Sequence, residues 1–431
     1  MATIRRRVRS IALASQLGPG LITGAADDDP SGIATYSQAG AQFGYGLLWT
    51  LILTYPLMSA IQLVSALIGR VTGQGLAKNM GAVLPRWLVT ALVALLFIAN
   101  TINIGADIAA MGASADLVTR HGGVPIPEGA KIFAVGFAVF SLGLQMFVPY
   151  HRYVKFLKWL TMALFAYVAV VFIVHIDWMT VARSVVIPPL KWSKDAVTTV
   201  VAVFGTTISP YLFFWQAAEE VEDVDKDADA HPLTQAPAEA RGAFARMRLD
   251  TFVGMAFSNL IALAIMISTA ATLNAHGVTD IQTASQAAEA LAPVAGPFAF
   301  ALFALGIIGT GLLAVPVLAG SSAYAVGESR GWKCGLEHQP WEAIGFYAVI
   351  AAGTLLGMGI IWSPLDPIKA LFWSAVINGV VAVPIMVAMM IVVSRHSQMG
   401  HFTANLGLKL WGWAATAVMA AAAIAMFVLA F

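Results

Sequence analysis

Long apolar segments dominate this chain and decide what it can fold into. Of its 431 residues, 59% are hydrophobic and 11% are charged, whereas roughly 25% of an ordinary soluble domain is charged. A single soluble core cannot absorb this much apolar surface, so lipid is the expected solvent for most of the chain. Backbone groups in lipid must be satisfied within the protein, which favours helices. The sequence therefore predicts an all-α integral membrane protein.

Eleven segments have the character of a membrane-spanning helix, which needs about 20 mostly apolar residues. The predicted spans are 11–42, 46–70, 86–117, 131–149, 157–177, 196–217, 250–273, 297–327, 342–361, 367–394 and 409–431. With a cytoplasmic N-terminus, eighteen of the 24 Lys and Arg residues fall on the inside and six on the outside. This bias predicts a multi-pass protein of a bacterial inner membrane, with the N-terminus cytoplasmic and the C-terminus extracytoplasmic.

One sizeable hydrophilic stretch, 217–249, follows the sixth span on the cytoplasmic side. It begins acidic and ends basic, and we expect a solvated connector there, with an ion-attracting vestibule or gate as the alternative. No separate soluble domain is visible in the sequence. Residues 1–431 are therefore expected to form a single transmembrane domain.

The sequence also disfavours several classes of function. A net charge of +1 gives no support for a nucleic-acid partner, and the one cysteine, Cys334, excludes a disulfide framework and a cysteine-based metal site. No Walker-type nucleotide loop is present, so ATP-driven pumping has no support. No pair of spans offers a nucleophile and a base, so we expect neither an enzyme nor a bound cofactor.

The first and sixth spans differ from the others because each contains helix-breaking residues in its middle. The first carries ADDDPSG at 26–32, and the sixth carries GTTISPY at 205–211. Proline removes a backbone donor and clashes with the preceding turn, and glycine loosens what remains. Irregular backbone at membrane depth survives only where protein or a water-filled cavity satisfies it. Two simple proline kinks are the alternative, but breaks in corresponding places favour a functional site.

These breaks lie where two five-helix halves would each begin. Halves related by inverted topology are typical of secondary transporters, whose substrate site is formed by unwound segments near the middle of the membrane. The predicted halves are 11–177 and 196–394, and 409–431 is an additional helix. A small cation is the expected substrate, because freed carbonyls and half-helix ends supply ion ligands. Alternating access, in which spans one and six move against the other spans, is the expected mechanism.

Asp29 is the predicted charged ligand, since it directly precedes the proline of the first break. A carboxylate at the centre of a bilayer costs at least about 2.5–3.5 kcal/mol, so it usually has a functional reason. Asp27 and Asp28 are expected either nearer the outer mouth or paired with a cation from another helix. Asn378 in the tenth span is a further candidate for the site, with an interhelical hydrogen bond as the alternative.

Four runs of this sequence carry a resemblance to a known family. They are LGPGLITGAADDDPSGIATYSQAGAQFGYGLLWTLILTYPLMSAIQLVSALIG in the first two spans, HRYVKFLKWLTMALFAYV at the fifth, RLDTFVGMAFSNL at the seventh and LAGSSAYAVGE at the end of the eighth. They resemble the NRAMP-type divalent-metal transporters, over most of spans one to eight and more weakly in the last three. The resemblance implies a LeuT-type fold of five plus five inverted spans, with the first and sixth helices broken.

Both family motifs are altered in this chain. Where the family has Asp-Pro-Gly-Asn, residues 29–32 read DPSG, which keeps the carboxylate and replaces the asparagine ligand by Gly32. Where the family has Met-Pro-His, residues 209–211 read SPY, which lacks both the thioether and the histidine. The resemblance further implies that the backbone carbonyls of Ala26 and Thr206 bind the metal.

The implied site is built from oxygen atoms. Its members are the Asp29 carboxylate, the two carbonyls just named, and the hydroxyls of Thr207, Ser209 and Tyr211. Oxygen ligands without a thioether suit Mg²⁺, Ca²⁺ and Mn²⁺. Two smaller side chains also widen the site, and Mg²⁺ keeps several waters when it binds. The pattern resembles the NRAMP-related magnesium transporter branch and implies Mg²⁺ as the transported substrate, with Mn²⁺ left open.

Transport is predicted not to be coupled to protons. Histidine titrates near neutral pH, and Tyr211 cannot replace it in that role. The third span reads ANTINIGADIAAMG, with Asn103 near an acidic position of the family's proton route and only Asp107 remaining. Two alternatives stay open, namely a carrier of a non-metal small solute or anion on the same fold, and a metal-sensing membrane protein that does not translocate. We expect a monomer in the lipid bilayer.

Overall fold

The computed structural model of the protein describes residues 23–24, 26–149, 152, 157, 159–189, 192–226 and 230–430. Predictions for the start of the first span at residue 11, for the N-terminal arginines and for residues 227–229 lie outside this described part. Every regular element within it is a helix, which confirms the predicted fold class.

The helices of the first half begin just before the first break. Residues 26 and 27 are helical, Asp28 and Asp29 are not, and a 3₁₀ turn, Gly44–Leu47, joins the next two helices. The helices are α1 (Pro30–Phe43), α2 (Leu48–Thr72), α3 (Leu76–Val83), α4 (Arg86–His121), α5 (Gly129–Phe147), α6 (Phe165–Ile173) and α7 (Trp178–Val186).

The second half begins with the two parts of the sixth span. Its helices are α8 (Lys194–Thr207), α9 (Pro210–Lys226), α10 (Ala240–Thr272), α11 (Ala299–Arg330), α12 (Ile344–Gly357), α13 (Pro367–Ser394) and α14 (Leu406–Ala430). Shorter helices at Ala284–Glu289, Ala292–Ala295 and His396–Met399 lie in the connections.

Each of the eleven predicted spans coincides with one or more of these helices. In the described part, nine helical stretches are long and apolar enough to cross a membrane, or ten if a bent pair is counted as one span. Pro30–Thr72 counts as one stretch although it contains parts of the first and second predicted spans. The bent pair belongs to the fifth span, where Leu160–Ile173 meets Trp178–Val186 at 110°.

Both predicted breaks are present. The first separates the helical residues 26–27 from α1, and the second leaves only Ile208 and Ser209 between α8 and α9. The second break is shorter than the sequence indicates, because α8 stays helical through Thr207 instead of unwinding at Gly205. A proline begins the helix after each break, as expected for a residue that has no amide hydrogen to place.

Close packing holds the two breaks next to the tenth span. Helix α1 contacts α8, α10 and α13. Gly205 of α8 and Gly379 of α13 lie at a crossing so tight that a Cβ on Gly379 would stand 2.7 Å from the Val201 carbonyl oxygen. Small residues permit such approaches between membrane helices. Thr206 and Asn378 are the chain neighbours of these glycines, so both lie at the crossing of α8 and α13.

Candidate functional site

Asp29 ends the first break and caps α1. Its backbone is extended (φ −72°, ψ 170°), and its Oδ1 accepts hydrogen bonds from the Gly32 amide at 2.8 Å and the Ser31 hydroxyl at 2.6 Å. A capping aspartate satisfies first-turn amides that have no partner inside the helix. The helix dipole also favours a negative charge at this end. The order Asp-Pro-Ser-Gly thus fixes the carboxylate in place.

The second oxygen of this carboxylate faces two other helices. Asn103 of α4 donates from Nδ2 to Asp29 Oδ2 at 3.2 Å, and its Oδ1 accepts from the hydroxyl of Ser374 of α13 at 2.8 Å. Asp29 is 1% exposed, and none of the ion pairs in the described part includes it. The groups of the described part that hold this carboxyl group are therefore all neutral donors.

The hydroxyls of the second break point at their own helix. Ser209 donates to the carbonyl oxygens of Gly205 at 2.8 Å and Thr206 at 2.9 Å. Thr207 donates to the carbonyl oxygen of Val203 at 2.7 Å. These bonds satisfy carbonyls in the last turns of α8. Each hydroxyl thus donates its hydrogen within α8, and its oxygen keeps the lone pairs that the role implied by the resemblance requires.

Each proline leaves one carbonyl without its helical donor. A helical carbonyl accepts from the amide four residues later, so Pro30 deprives Ala26 and Pro210 deprives Thr206. These are the two carbonyls that the family resemblance marks as metal ligands. Tyr211 of α9 replaces the missing donor at Ala26, because its hydroxyl donates to the Ala26 carbonyl oxygen at 3.1 Å. Ser209 replaces the missing donor at Thr206, because its hydroxyl donates to the Thr206 carbonyl oxygen.

Gly32 and Asn378 complete the predicted set. A Cβ on Gly32 would stand 3.1 Å from the Thr206 hydroxyl, so α1 and α8 nearly touch where the family has asparagine. Asn378 lies one turn beyond Ser374 on the same side of α13. It is fully buried, and neither amide atom has a hydrogen-bond partner. The alternative of an interhelical hydrogen bond therefore has no support, and the amide can bind a ligand.

Asp27 and Asp28 lie inside the helix bundle. They are 0% and 3% exposed, and the hydroxyl of Ser258 of α10 lies 2.5 Å from Asp27 Oδ2 and 3.1 Å from Asp28 Oδ1. Neither forms an ion pair with a residue of the described part. The described part therefore offers no cationic partner to either aspartate, and their nearness to the outer mouth stays a prediction. No local sequence signal could have identified Ser258, which is 231 residues from Asp27.

A second isolated carboxyl group lies one turn along α4 from Asn103. Asp107 is fully buried, both of its oxygens lack hydrogen-bond partners, and it interacts electrostatically with Asp29. No three His, Cys, Asp or Glu side chains of the described part converge on one point. An ion at the breaks would therefore depend on one carboxylate together with amide, hydroxyl, carbonyl and water oxygens.

A cavity of about 430 Å³ opens beside α1. It reaches Ala34, one turn or about 6 Å of helix rise from Pro30. Gln38 borders it and holds a neighbouring loop, accepting from the Ile281 amide at 2.9 Å and donating to the Thr279 carbonyl at 3.3 Å. The charged residues of its lining are Lys194, Asp195, Asp280 and Lys369. Charged and apolar side chains thus share the lining of this cavity on one side of α1.

The acidic end of the hydrophilic stretch is not a solvated connector. Helix α9 extends through it, with Glu219 5% and Glu220 0% exposed. Glu220 pairs with Arg246 of α10 at 2.5 Å. Gln216 donates to Glu220 at 3.3 Å and accepts from the Thr23 hydroxyl at 2.7 Å. This polar chain joins the residues before the first break to α9 and α10.

The fold and the site together define a multi-pass membrane protein with a buried, oxygen-lined centre between two broken helices. Residues 20–429 match the family model described as "Natural resistance-associated macrophage protein-like", Nramp. The chain belongs to this family, which confirms the resemblance found in the sequence.

Curated relatives agree with the family match. The protein named "Divalent metal cation transporter MntH" of Yersinia pestis (strain Pestoides F) is 30% identical over 317 residues, which cover 72% of this chain and 71% of that protein. Its namesake in Yersinia enterocolitica is 31% identical over 314 residues, which cover 71% of each.

Solved structures share the fold. An Eremococcus coleocola manganese transporter, in complex with an aromatic bis-isothiourea substituted compound, superposes with a TM-score of 0.73 at 17% identity, over 97% of this chain and 87% of that one. Mhp1, described as a nucleobase-cation-symport-1 family transporter, gives 0.58 at 13% identity, over 96% and 92%. These likenesses confirm the LeuT-type fold with broken first and sixth helices.

Proposed function

We propose that this protein transports divalent metal ions, Mg²⁺ and also Mn²⁺, across the membrane by alternating access and without proton coupling. The observation that carries the proposal is Asp29, a fully buried carboxylate at the N-terminus of a half-helix that is held by neutral donors. Such a group at membrane depth needs a cation to balance it. The relatives named divalent metal cation transporters support the same class of substrate.

The preference for Mg²⁺ follows from the atoms around Asp29. Asn103 and Ser374 hold the carboxylate through neutral hydrogen bonds. Asn378 adds a buried amide without a hydrogen-bond partner, and no sulfur takes the place of the family's thioether at Ser209. Hard oxygen ligands suit Mg²⁺ and Mn²⁺ better than softer transition metals. A site with a single closely held carboxylate also suits an ion that retains part of its water shell, as Mg²⁺ does. This places the chain, in our proposal, in the magnesium-transporting branch of the family.

The lack of proton coupling is supported by the side chains at the second break. Tyr211 occupies the position of the family's histidine and donates a neutral hydrogen bond. The histidines of the described part lie at helix ends or in connections, away from both breaks. Asp107 is the one carboxyl group beside Asn103 that offers a rival route. A pH-sensitive dye inside proteoliposomes tests this point: acidification during Mg²⁺ uptake would contradict the proposal.

The moving parts in this proposal are the two broken helices. Residues 11–177 and 196–394 form the inverted halves, and 409–431 is the extra helix. Residues 26 and 27 with α1, and α8 with α9, move against the remaining helices around the fixed site. The N-terminus is cytoplasmic, so the cavity beside α1 is the extracytoplasmic approach. One chain carries a complete set of ligands, which agrees with function as a monomer.

The test is uptake of Mg²⁺ and Mn²⁺ into proteoliposomes, followed with ion-sensitive dyes for wild type and for Asp29→Asn. Asparagine is as good a helix cap as aspartate, so this variant removes the charge and keeps the local fold. We expect wild-type uptake of both ions and none above background for the variant. Asp177→Asn, at the exposed N-cap of α7, is the matched control, because it also removes a charge and keeps a helix cap, and it should transport normally.

The other two candidate functions are outcomes of the same experiment. Folded wild-type protein that transports neither ion would contradict metal transport and favour a non-metal solute. An anion is disfavoured by three aspartates at the first break, because like charges repel in a buried site. Metal binding to wild type without uptake would favour a sensor that does not translocate.

A further inference from the structure

Tyr211 links the two broken helices at the carbonyl that an ion would need. Its side chain is fully buried in the first turn of α9, and its hydroxyl donates to Ala26 across 185 residues of sequence. The hydroxyl also interacts electrostatically with Asp29, Asp27 and Asp107. A single phenol therefore lies among the carboxylates of the site and on its freed backbone carbonyl.

The bond to Ala26 changes what that carbonyl can do. Pro30 removes its helical donor, so without Tyr211 the oxygen would be a buried acceptor with no partner, ready to replace a water on an ion. A hydrogen bond from the phenol satisfies the oxygen already. The phenol occupies one of the two lone pairs of this carbonyl, so an ion that takes it as a direct ligand shares the oxygen with the phenol and gains less from it.

The second break does not repeat this arrangement. Its freed carbonyl, that of Thr206, is capped by Ser209 three residues later in the same break. That cap is local and remains when the helices move. The Tyr211 cap joins α9 to the residues before α1, so it depends on how the two broken helices stand relative to each other.

We infer that the Tyr211 hydroxyl is a specificity-determining group, which keeps the Ala26 carbonyl from stripping water off the ion and so favours ions that bind partly hydrated. This inference rests on the proposed function and goes beyond it, since it assigns the hydration of the transported ion to one hydroxyl. Mg²⁺ dehydrates reluctantly and suits such a site. An ion that dehydrates more readily, such as Mn²⁺, gains when the carbonyl is released.

The test is Tyr211→Phe, which keeps the ring and removes only the hydroxyl. We expect its Mn²⁺ to Mg²⁺ uptake ratio in proteoliposomes to rise about three- to tenfold over wild type, the size of effect that one neutral hydrogen bond exerts. The rise in melting temperature caused by each ion in detergent should shift towards Mn²⁺ in the same way, which reports binding apart from transport.

Tyr324→Phe is the matched control. Tyr324 is also buried and donates to Glu222, away from both breaks, so its loss should leave the ion ratio unchanged. An unchanged ratio in Tyr211→Phe, with wild type transporting both ions, would overturn this inference alone. Absence of both uptake and ion-dependent stabilisation in wild type would overturn the proposed function and the inference with it.

Discussion

The two breaks in this protein occupy corresponding places in the two halves, yet they differ in charge and in how their backbone is satisfied. The first break carries three aspartates, and its freed carbonyl is capped from the other half by Tyr211. The second break carries no charged side chain, and Ser209 caps it locally. The first break therefore carries the charge of the proposed site, and the second has its freed carbonyl satisfied within the same break.

This difference shows that the two halves share one backbone feature and satisfy it with different side chains. A proline in each half frees the equivalent carbonyl, so the backbone chemistry is shared by both. The side chains then determine where the donor to each freed carbonyl comes from. The Thr206 carbonyl accepts from Ser209 of the same break, and the Ala26 carbonyl accepts from Tyr211 of the other broken helix. Equivalent substitutions in the two breaks are therefore expected to have unequal effects.

The largest difference is expected between Asp29→Ala and Ser209→Ala. The first removes both the charge and the helix cap, and initial uptake of Mg²⁺ should fall more than about 100-fold, as for loss of an essential charged ligand. The second removes a hydroxyl that faces its own helix, and uptake should stay within about threefold of wild type. Equal losses of uptake would show that the second break also binds the ion directly.

Asn103→Leu should have the next largest effect. The change removes the donor to Asp29 Oδ2, so the carboxylate can turn away from the site, and uptake should fall about tenfold. Ser374→Ala acts only through Asn103 and should cost less. Because the three groups form one chain of hydrogen bonds, the double variant should not lose more than Asn103→Leu alone. Additive losses would contradict a single positioning chain.

Ser258→Ala tests whether the hydroxyl that contacts both Asp27 and Asp28 stabilises the fold. The substitution leaves two buried carboxyl groups without the Ser258 hydroxyl, so the free energy of unfolding should fall by about 1–3 kcal/mol. The measurement is the melting temperature in detergent at a fixed ion concentration. A melting temperature equal to that of wild type would mean that the contacts of Ser258 with Asp27 and Asp28 contribute nothing.

The smallest effect is expected for Thr207→Val in the second break. Its hydroxyl donates to the Val203 carbonyl, which lies within α8, so uptake and the Mn²⁺ to Mg²⁺ ratio should both match wild type. Stability should change by less than about 1 kcal/mol, since helical carbonyls are already satisfied by the backbone. A changed ion ratio would place this hydroxyl on the ion, in the role that the resemblance implies for it.

Much of the fold could be read from local sequence. Proline and glycine inside apolar spans identified both breaks, and apolar length identified the spans, because both signals act within a few residues. The predicted break begins at Gly205, three residues before the observed one at Ile208, since that glycine serves the crossing with α13 and does not unwind the helix. The acidic stretch was assigned to solvent because its burial depends on α10, which lies later in the chain.

The residues of the site could be predicted only where the signal comes from their neighbours in the chain. Asp29 followed from its place before Pro30. Tyr211 was identified as a hydroxyl near the ion, but its bond to Ala26 joins residues 185 apart and no sequence pattern indicates it. Ser374 and Ser258 were missed for the same reason, since a buried serine on an apolar helix has no distinguishing local signal.

The most direct test of the account is the position of the metal itself. Crystals soaked in Mn²⁺ should show an anomalous scattering peak beside the Asp29 carboxylate, within reach of Asn378 and between the two breaks. The peak should disappear in Asp29→Asn and remain in Ser209→Ala. A peak at the Glu219 and Glu220 pair of α9, with none beside Asp29, would contradict the claim that the first break binds the transported ion.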